Sequence, residues 1–245
     1  ASLGRGLKKP LLVIINGESN SGGYALNSEA PAGEKGLQES VSLLNPVSFV
    51  FESLNIGVNN LLDHAGLSNG STHGFELELA IRAKAGELFY QGVKLIKTGQ
   101  GGSQIAQWNV GGTYMNKFNE RIAAAKTFID FSDYNVVILF SLGINDAIAG
   151  TNVNTWKTGV TNHFATLRAT VGEGNVPIVM TEFQGMGGGA YTAYTTAIQE
   201  LAATLPNVFS VSASGAGLRD TNHWNYEGMK LVAGRLLDKA EEYYN

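Results

Sequence analysis

Asn135–Leu142 reads NVVILFSL and runs directly into Gly143-Ile-Asn-Asp146. A run this apolar and β-branched, ended by a glycine, predicts a strand buried on both faces. Both faces are hidden only when helices cover the sheet on either side, as they do in a parallel sheet. The same unit recurs along the chain. Pro10–Asn16 (PLLVIIN) stops at Gly17, Val93–Lys97 (VKLIK) at Thr98-Gly99, Val176–Thr181 (VPIVMT) at Glu182, and Val208–Val211 makes a short last strand.

Between these runs, apolar residues recur every three or four positions, the period of a helix with one buried face. Leu77, Ile81, Ala85 and Leu88 mark one helix, and Met115, Phe118, Ile122, Ala125 and Ile129 a second. Trp156, Val160, Phe164, Leu167 and Val171 mark a third. Tyr191, Tyr194, Ile198, Leu201 and Leu205 belong to a fourth, and Met229, Val232, Leu236 and Ala240 to the last. Strands alternating with helices of this length are βαβ units with right-handed crossovers. The expected fold is α/β: a three-layer α/β/α sandwich on a parallel, flavodoxin-like sheet of about five strands, in one domain. Residues 24–73 stand apart. Val47–Phe51 predicts a short strand there, and the rest, rich in Asn, Gly and Ser, reads as an irregular excursion over the sheet edge, either a substrate wall or a surface insertion.

Composition narrows the function classes. The chain carries a formal charge of −4 and no basic cluster beyond Lys8-Lys9, so no nucleic-acid partner is expected. With no cysteine, disulfides, thiol catalysis and cysteine-type zinc sites are excluded. No apolar run approaches membrane-spanning length, and no membrane partner is expected. The start of the chain does not read as a signal peptide, a pattern shared by secreted proteins that have already lost theirs. Nothing in the sequence speaks to oligomeric state.

Ligand sites in an open parallel sheet lie beyond the carboxyl ends of the strands. Four such loops carry residues with a shared use: Gly17-Glu18-Ser19-Asn20, Gly101-Gly102-Ser103, Gly143-Ile-Asn145-Asp146 and Asp220-Thr-Asn-His223. An Asp three residues before a His can fold back onto one imidazole nitrogen and fix the tautomer, leaving the other nitrogen to take a proton. With a small polar nucleophile, a glycine pair with accessible N–H groups and an amide side chain, these loops would assemble a serine esterase. Each loop alone is an ordinary polar turn.

The four blocks resemble those of the SGNH hydrolase superfamily, and within it are most similar to the sialate O-acetylesterase-like carbohydrate esterases. Gly17-Glu18-Ser19-Asn20 matches their Gly-Gln-Ser-Asn opening, with Glu18 in place of Gln. Gly101-Gly102-Ser103-Gln-Ile105-Ala-Gln-Trp108 resembles their Gly-Gly-Ser/Thr-x-Ile-x-x-Trp block, and Gly74-Phe-Glu76-Leu a Gly-Pro-Glu-Leu stretch. Gly143-x-Asn145-Asp146 has the general superfamily form, where the carbohydrate esterases often carry Gln-Gly-Glu. The resemblance implies Ser19 as nucleophile, His223 as general base and then acid, and Asp220 as orienting carboxylate. It implies an oxyanion hole from the Ser19 N–H, an N–H of Gly101 or Gly102 (Gly101 preferred) and the Asn145 amide. It also implies removal of acetyl groups from an O-acetylated carbohydrate without a cofactor. A catalytically silent carbohydrate-binding module, or a lipase or thioesterase of the same superfamily, is the alternative. Glu18, Asn20, Trp108 and Glu182 are candidate substrate contacts, although Trp108 better suits packing beneath the glycine loop.

Other residues fit blander roles. Ser21 and Ser103 are serines in the right loops but suit loop hydrogen bonding, and Asp146 suits a cap. His163, beside Phe164 on a helix, suits a structural role; His64 and His73 have no second ligand at metal spacing, and no metal is expected. Gly185–Ala190 (GMGGGA) follows a strand and precedes a helix, as a dinucleotide-binding turn does. The next strand ends without the acidic residue that would hold a ribose, so the run is expected to be a mobile substrate-side loop.

Overall fold

The computed structural model describes residues 8–60, 70–88 and 90–245. The chain opens with β1 (Leu11–Gly17), a single helical turn α1 (Ser19–Gly22) and the two-residue strand β2 (Ala25–Leu26). A hairpin of β3 (Gly36–Leu44) and β4 (Phe51–Ile56) follows, then β5 (Thr72–His73), α2 (Glu76–Ala85) and β6 (Val93–Gly99). Next come α3 (Thr113–Lys126), β7 (Asn135–Ser141), a short α4 (Ile144–Ile148) and α5 (Val153–Val171). The chain ends with β8 (Ile178–Thr181), α6 (Thr192–Thr204), β9 (Val208–Val211) and α7 (Tyr226–Tyr244).

The main sheet has seven strands in the order β4-β3-β6-β1-β7-β8-β9, with β2 and β5 forming a separate two-stranded ribbon. The five expected strands stand together in flavodoxin-like order, each parallel to its neighbour. The expected strand number therefore needs correction. β3 adds to β6 in parallel and β4 closes the edge antiparallel to β3. These two strands come from the stretch expected to be irregular. β3 is half exposed, with Gln38, Val41 and Leu43 buried among exposed or partly exposed residues before the buried Leu44 ends the strand, so it shows no continuous apolar run. Val47–Phe51 is not a strand. Asn45 accepts hydrogen bonds from the N–H groups of Val47 (2.8 Å) and Ser48 (3.1 Å), turning the chain before β4 begins at Phe51.

Helices α2 and α7 pack together on one face, while α3, α5 and α6 form the other layer. The central strand β1 keeps Leu11 to Ile15 at or below 1% exposure. Its register sets the active end of the sheet, because Gly17 lies opposite both Gly99 of β6 and Ser141 of β7. Three strands thus end at one level, and their loops leave side by side at the point where the chain order reverses. Gly17 itself has φ +131°, and a Cβ there would lie 1.9 Å from the Ser141 carbonyl oxygen, so only glycine fits.

The last loop is brought in from the far edge. Leu218 and Trp224 form an antiparallel bridge, the Arg219 N–H donates to the His223 carbonyl (2.8 Å), and Asp220–His223 become the tip of a tight hairpin. Trp224 is fully buried, and the Asn225 side chain caps α7 by accepting from Gly228 N–H at 2.9 Å. The hairpin is therefore anchored at its base.

Candidate active site

Ser19 is the first residue of α1, directly after the β1 turn, so its N–H has no partner within the helix. Its Oγ lies 2.9 Å from Nε2 of His223. On the other side of the ring, Nδ1 of His223 lies 2.9 Å from each carboxylate oxygen of Asp220. Asp220 Oδ1 also accepts from the N–H groups of Asn222 (2.8 Å) and His223 (2.9 Å). Burial works to raise this carboxyl, but these N–H groups and the imidazole outweigh it and hold it below the usual carboxylate range. One residue thus shapes the hairpin tip and orients the ring.

Four further contacts hold the hairpin tip, and none was legible in the motifs. Tyr24 stacks on His223 with ring centroids 4.3 Å apart and planes 13° from parallel. The backbone carbonyl of Tyr24 in turn accepts from Arg219 Nη1. Tyr191 donates its hydroxyl to Asn222 Oδ1 at 2.7 Å, and the Gly187 N–H donates to the Thr221 carbonyl at 2.9 Å. Tyr24 lies in the excursion, where no periodicity marks it, and Tyr191 reads from sequence as an ordinary helix-face residue. The glycine run at 185–189 is correspondingly not a free-standing loop: it is pinned to the His223 hairpin.

The glycine pair after β6 divides its tasks. A Cβ on Gly101 would lie 4.0 Å from Ser19 Cβ and 3.7 Å from the Tyr24 hydroxyl, so its backbone borders Ser19. A Cβ on Gly102 would meet nothing within 4 Å, and its φ of +72° identifies it as the turn residue. Gly143 begins the third loop with φ +146°, and a Cβ there would press on Trp156 and Phe183 at 3.1 and 3.2 Å. That backbone geometry starts α4, with Asn145 in its first turn and Asp146 beside it. Asp146 is buried and accepts from the Ile105 N–H at 3.0 Å, tying the third loop to the segment that follows Ser103. Burial pushes its carboxyl up to about 6.

The four candidate substrate contacts all have buried side chains. Glu18, Asn20 and Trp108 are fully buried and Glu182 is 5% exposed. Asn20 donates to the Asn222 carbonyl at 2.9 Å, clipping the Ser19 turn to the His223 hairpin. Trp108 packs beneath the glycine loop, its indole donating to Ser103 Oγ at 3.1 Å. Glu182 accepts from Ser210 at 2.7 Å and Gln199 at 3.0 Å and also from Gln184, linking β8, α6 and β9. Glu18 turns inward under the third loop. Its Oε2 accepts from Asn145 Nδ2 (3.1 Å) and from the N–H groups of Gly143 (3.3 Å) and Asn145 (3.4 Å).

The remaining serines and histidines have other work. Ser21 Oγ donates to the Glu18 carbonyl (2.7 Å) and Ser103 Oγ to the Gln100 carbonyl (2.8 Å), and both side chains are buried. His163 is buried against Asn16 Oδ1 at 2.9 Å, and His73 against Asn27 Oδ1 at 2.9 Å. Burial lowers these imidazoles to about 3 and about 4, so they stand neutral. His64 lies outside the described residues, among which no group of His, Asp and Glu has metal-binding geometry.

Comparison with known proteins agrees with this architecture. The chain is similar over 97% of its length to all of a protein of known structure from Arabidopsis thaliana, with a TM-score of 0.78 and 17% identity. It matches the crystal structure of NanS (TM-score 0.71, 12% identity) over 96% of this chain and 98% of that one. It also matches a carbohydrate acetylesterase from Xanthomonas citri (TM-score 0.64, 15% identity) over 96% of this chain but only 57% of the other. These identities establish the fold alone. No curated protein matches. A family model described as carbohydrate esterase, sialic acid-specific acetylesterase matches residues 10–242, nearly the whole chain. The protein belongs to that family of carbohydrate esterases and is a carboxylic-ester hydrolase.

Proposed function

We propose that the protein removes acetyl groups from an O-acetylated carbohydrate through an acyl-enzyme formed on Ser19. The observation that carries this reading is the continuous chain Ser19 Oγ, His223 Nε2, His223 Nδ1, Asp220, each link 2.9 Å long. Ser19 Oγ attacks the acetyl carbonyl carbon while Nε2 of His223 takes its proton. The carbonyl electron pair moves onto oxygen, and the oxyanion is met by the N–H groups of Ser19 and Gly101 and by the Asn145 amide. Collapse breaks the bond to the sugar oxygen, which leaves with the proton from Nε2. A water then repeats the sequence on the acetyl-serine, and acetate departs. Asp220 stays ionised throughout, holding the ring so that Nε2 faces Ser19.

The family supports the acetyl group and the sugar. Turnover of p-nitrophenyl acetate by the wild type and by Ser19→Ala tests the mechanism. The expected result is a loss of activity in the folded variant. Turnover independent of Ser19 overturns the reading. Acetate release from a panel of acetylated sialic acids, xylans and bacterial polysaccharides identifies the carbohydrate.

A further inference from the structure

Glu18 is a carboxyl placed behind the proposed oxyanion hole. Its side chain is fully buried, and Oε2 accepts from the Asn145 amide and the N–H groups of Gly143 and Asn145, with the Ile144 N–H also directed at the carboxyl. Oε1 is equally buried and meets no donor or acceptor among the described residues. A carboxylate would leave half its charge on that unpartnered oxygen, at a cost far above that of an unpaired hydroxyl. A neutral acid distributes its atoms better, with Oε2 as the carbonyl that accepts and Oε1 as the hydroxyl. We propose that Glu18 is a positioning residue that works as a neutral carboxylic acid, aiming the Asn145 amide at the oxyanion and disabling it on ionisation.

The surroundings support this assignment. The titratable groups that face Glu18 are Asp146 on α4 and Tyr191 ahead of α6, with His223 one step away through Ser19. Burial and then Asp146 push the Glu18 carboxyl up, against the pull of the Gly143, Asn145 and Ile144 N–H groups, to about 8. While neutral, Glu18 takes one Asn145 N–H and leaves the second free for the oxyanion. Once ionised, it puts a negative charge directly behind the donor that must stabilise another negative charge.

The inference rests on the esterase reading, and its test separates the two. Between about pH 5 and about pH 8 the folded protein would hold a proton on Glu18 that the unfolded chain has released. Wild-type stability must then fall relative to Glu18→Gln as pH rises, the ratio of their unfolding constants changing about tenfold per pH unit. Urea unfolding of both proteins across this range measures the ratio. In parallel, kcat for p-nitrophenyl acetate in the wild type should fall at least about tenfold on the alkaline side, and Glu18→Gln should lose that limb. A pH-independent stability ratio overturns the proposal. So does an alkaline limb that persists in Glu18→Gln while turnover remains dependent on Ser19. Absence of Ser19-dependent turnover at every pH overturns the esterase reading and the proposal together.

Discussion

Replacing Asp220 by Asn tests the hairpin geometry with the smallest change of shape. In the native loop Oδ1 is held by the N–H groups of Asn222 and His223 at 2.8 and 2.9 Å, so a carboxamide must place its oxygen there. The amide nitrogen then takes the position of Oδ2, 2.9 Å from His223 Nδ1. The facing N–H groups disfavour the Nδ1-protonated tautomer, but the amide oxygen at Oδ1, also 2.9 Å from Nδ1, still accepts from it, so part of the imidazole population shifts to the tautomer protonated on Nε2. That tautomer cannot accept the proton of Ser19. In a buried triad this error costs ~10⁴ in kcat. Here the carboxylate side chain is 48% exposed, so water can hydrate Nδ1 and restore part of the productive population. The expected loss is therefore about 10²–10³ in kcat, or about 3–4 kcal/mol of activation free energy, with KM little changed. Steady-state hydrolysis of p-nitrophenyl acetate, with circular dichroism to confirm folding, measures it. A folded Asp220→Asn variant that keeps more than about a tenth of wild-type kcat would refute the proposed role of this carboxylate.

Removing the Asn145 amide with Asn145→Ala should lower kcat by about 10²–10³, the typical loss of one oxyanion donor, and a near-normal kcat in folded protein would count against that donor. Tyr24→Leu removes the ring stacked on His223 and should lower kcat by about 2- to 12-fold, corresponding to ~0.5–1.5 kcal/mol for such a contact; unchanged kcat would reduce Tyr24 to a wall of the site. Neutral burial of His163 has a signature in stability. Its imidazole is depressed in the folded state, so the unfolded chain binds more protons below about pH 6.5 and stability is lost as pH falls from there toward the folded value near 3. By pH 5 this amounts to about 2 kcal/mol. Other buried groups titrate in the same window, so the measurable quantity is a difference: His163→Gln should lose about 2 kcal/mol less than wild type between pH 7 and pH 5 in urea unfolding. Equal losses would show that His163 does not carry that linkage.

Local pattern was enough for the parts of this protein that depend on local pattern. Continuous apolar runs gave the five central strands, because a strand covered on both faces has no polar side to show. The 3.6-residue period gave the helices, and alternation of the two gave a parallel sheet whose carboxyl end must carry the site. Ser19, Gly101, Asn145, Asp220 and His223, the residues of the proposed site, stand out in sequence because turn chemistry and potentially reactive groups coincide in short segments. The hairpin β3–β4 escaped notice because a half-exposed strand shows no continuous apolar run and is easily read as polar loop. Long-range contacts were decided by tertiary structure alone. Glu18, Asn20 and Glu182 suit the rim in sequence, yet each turns inward to a partner distant in the chain. Tyr24 reaches His223 across nearly two hundred positions because the excursion folds back over the sheet end. Register explains the difference: a motif names the groups that can react, but Gly17 lying level with Gly99 and Ser141 brings their loops within reach of one carbonyl carbon.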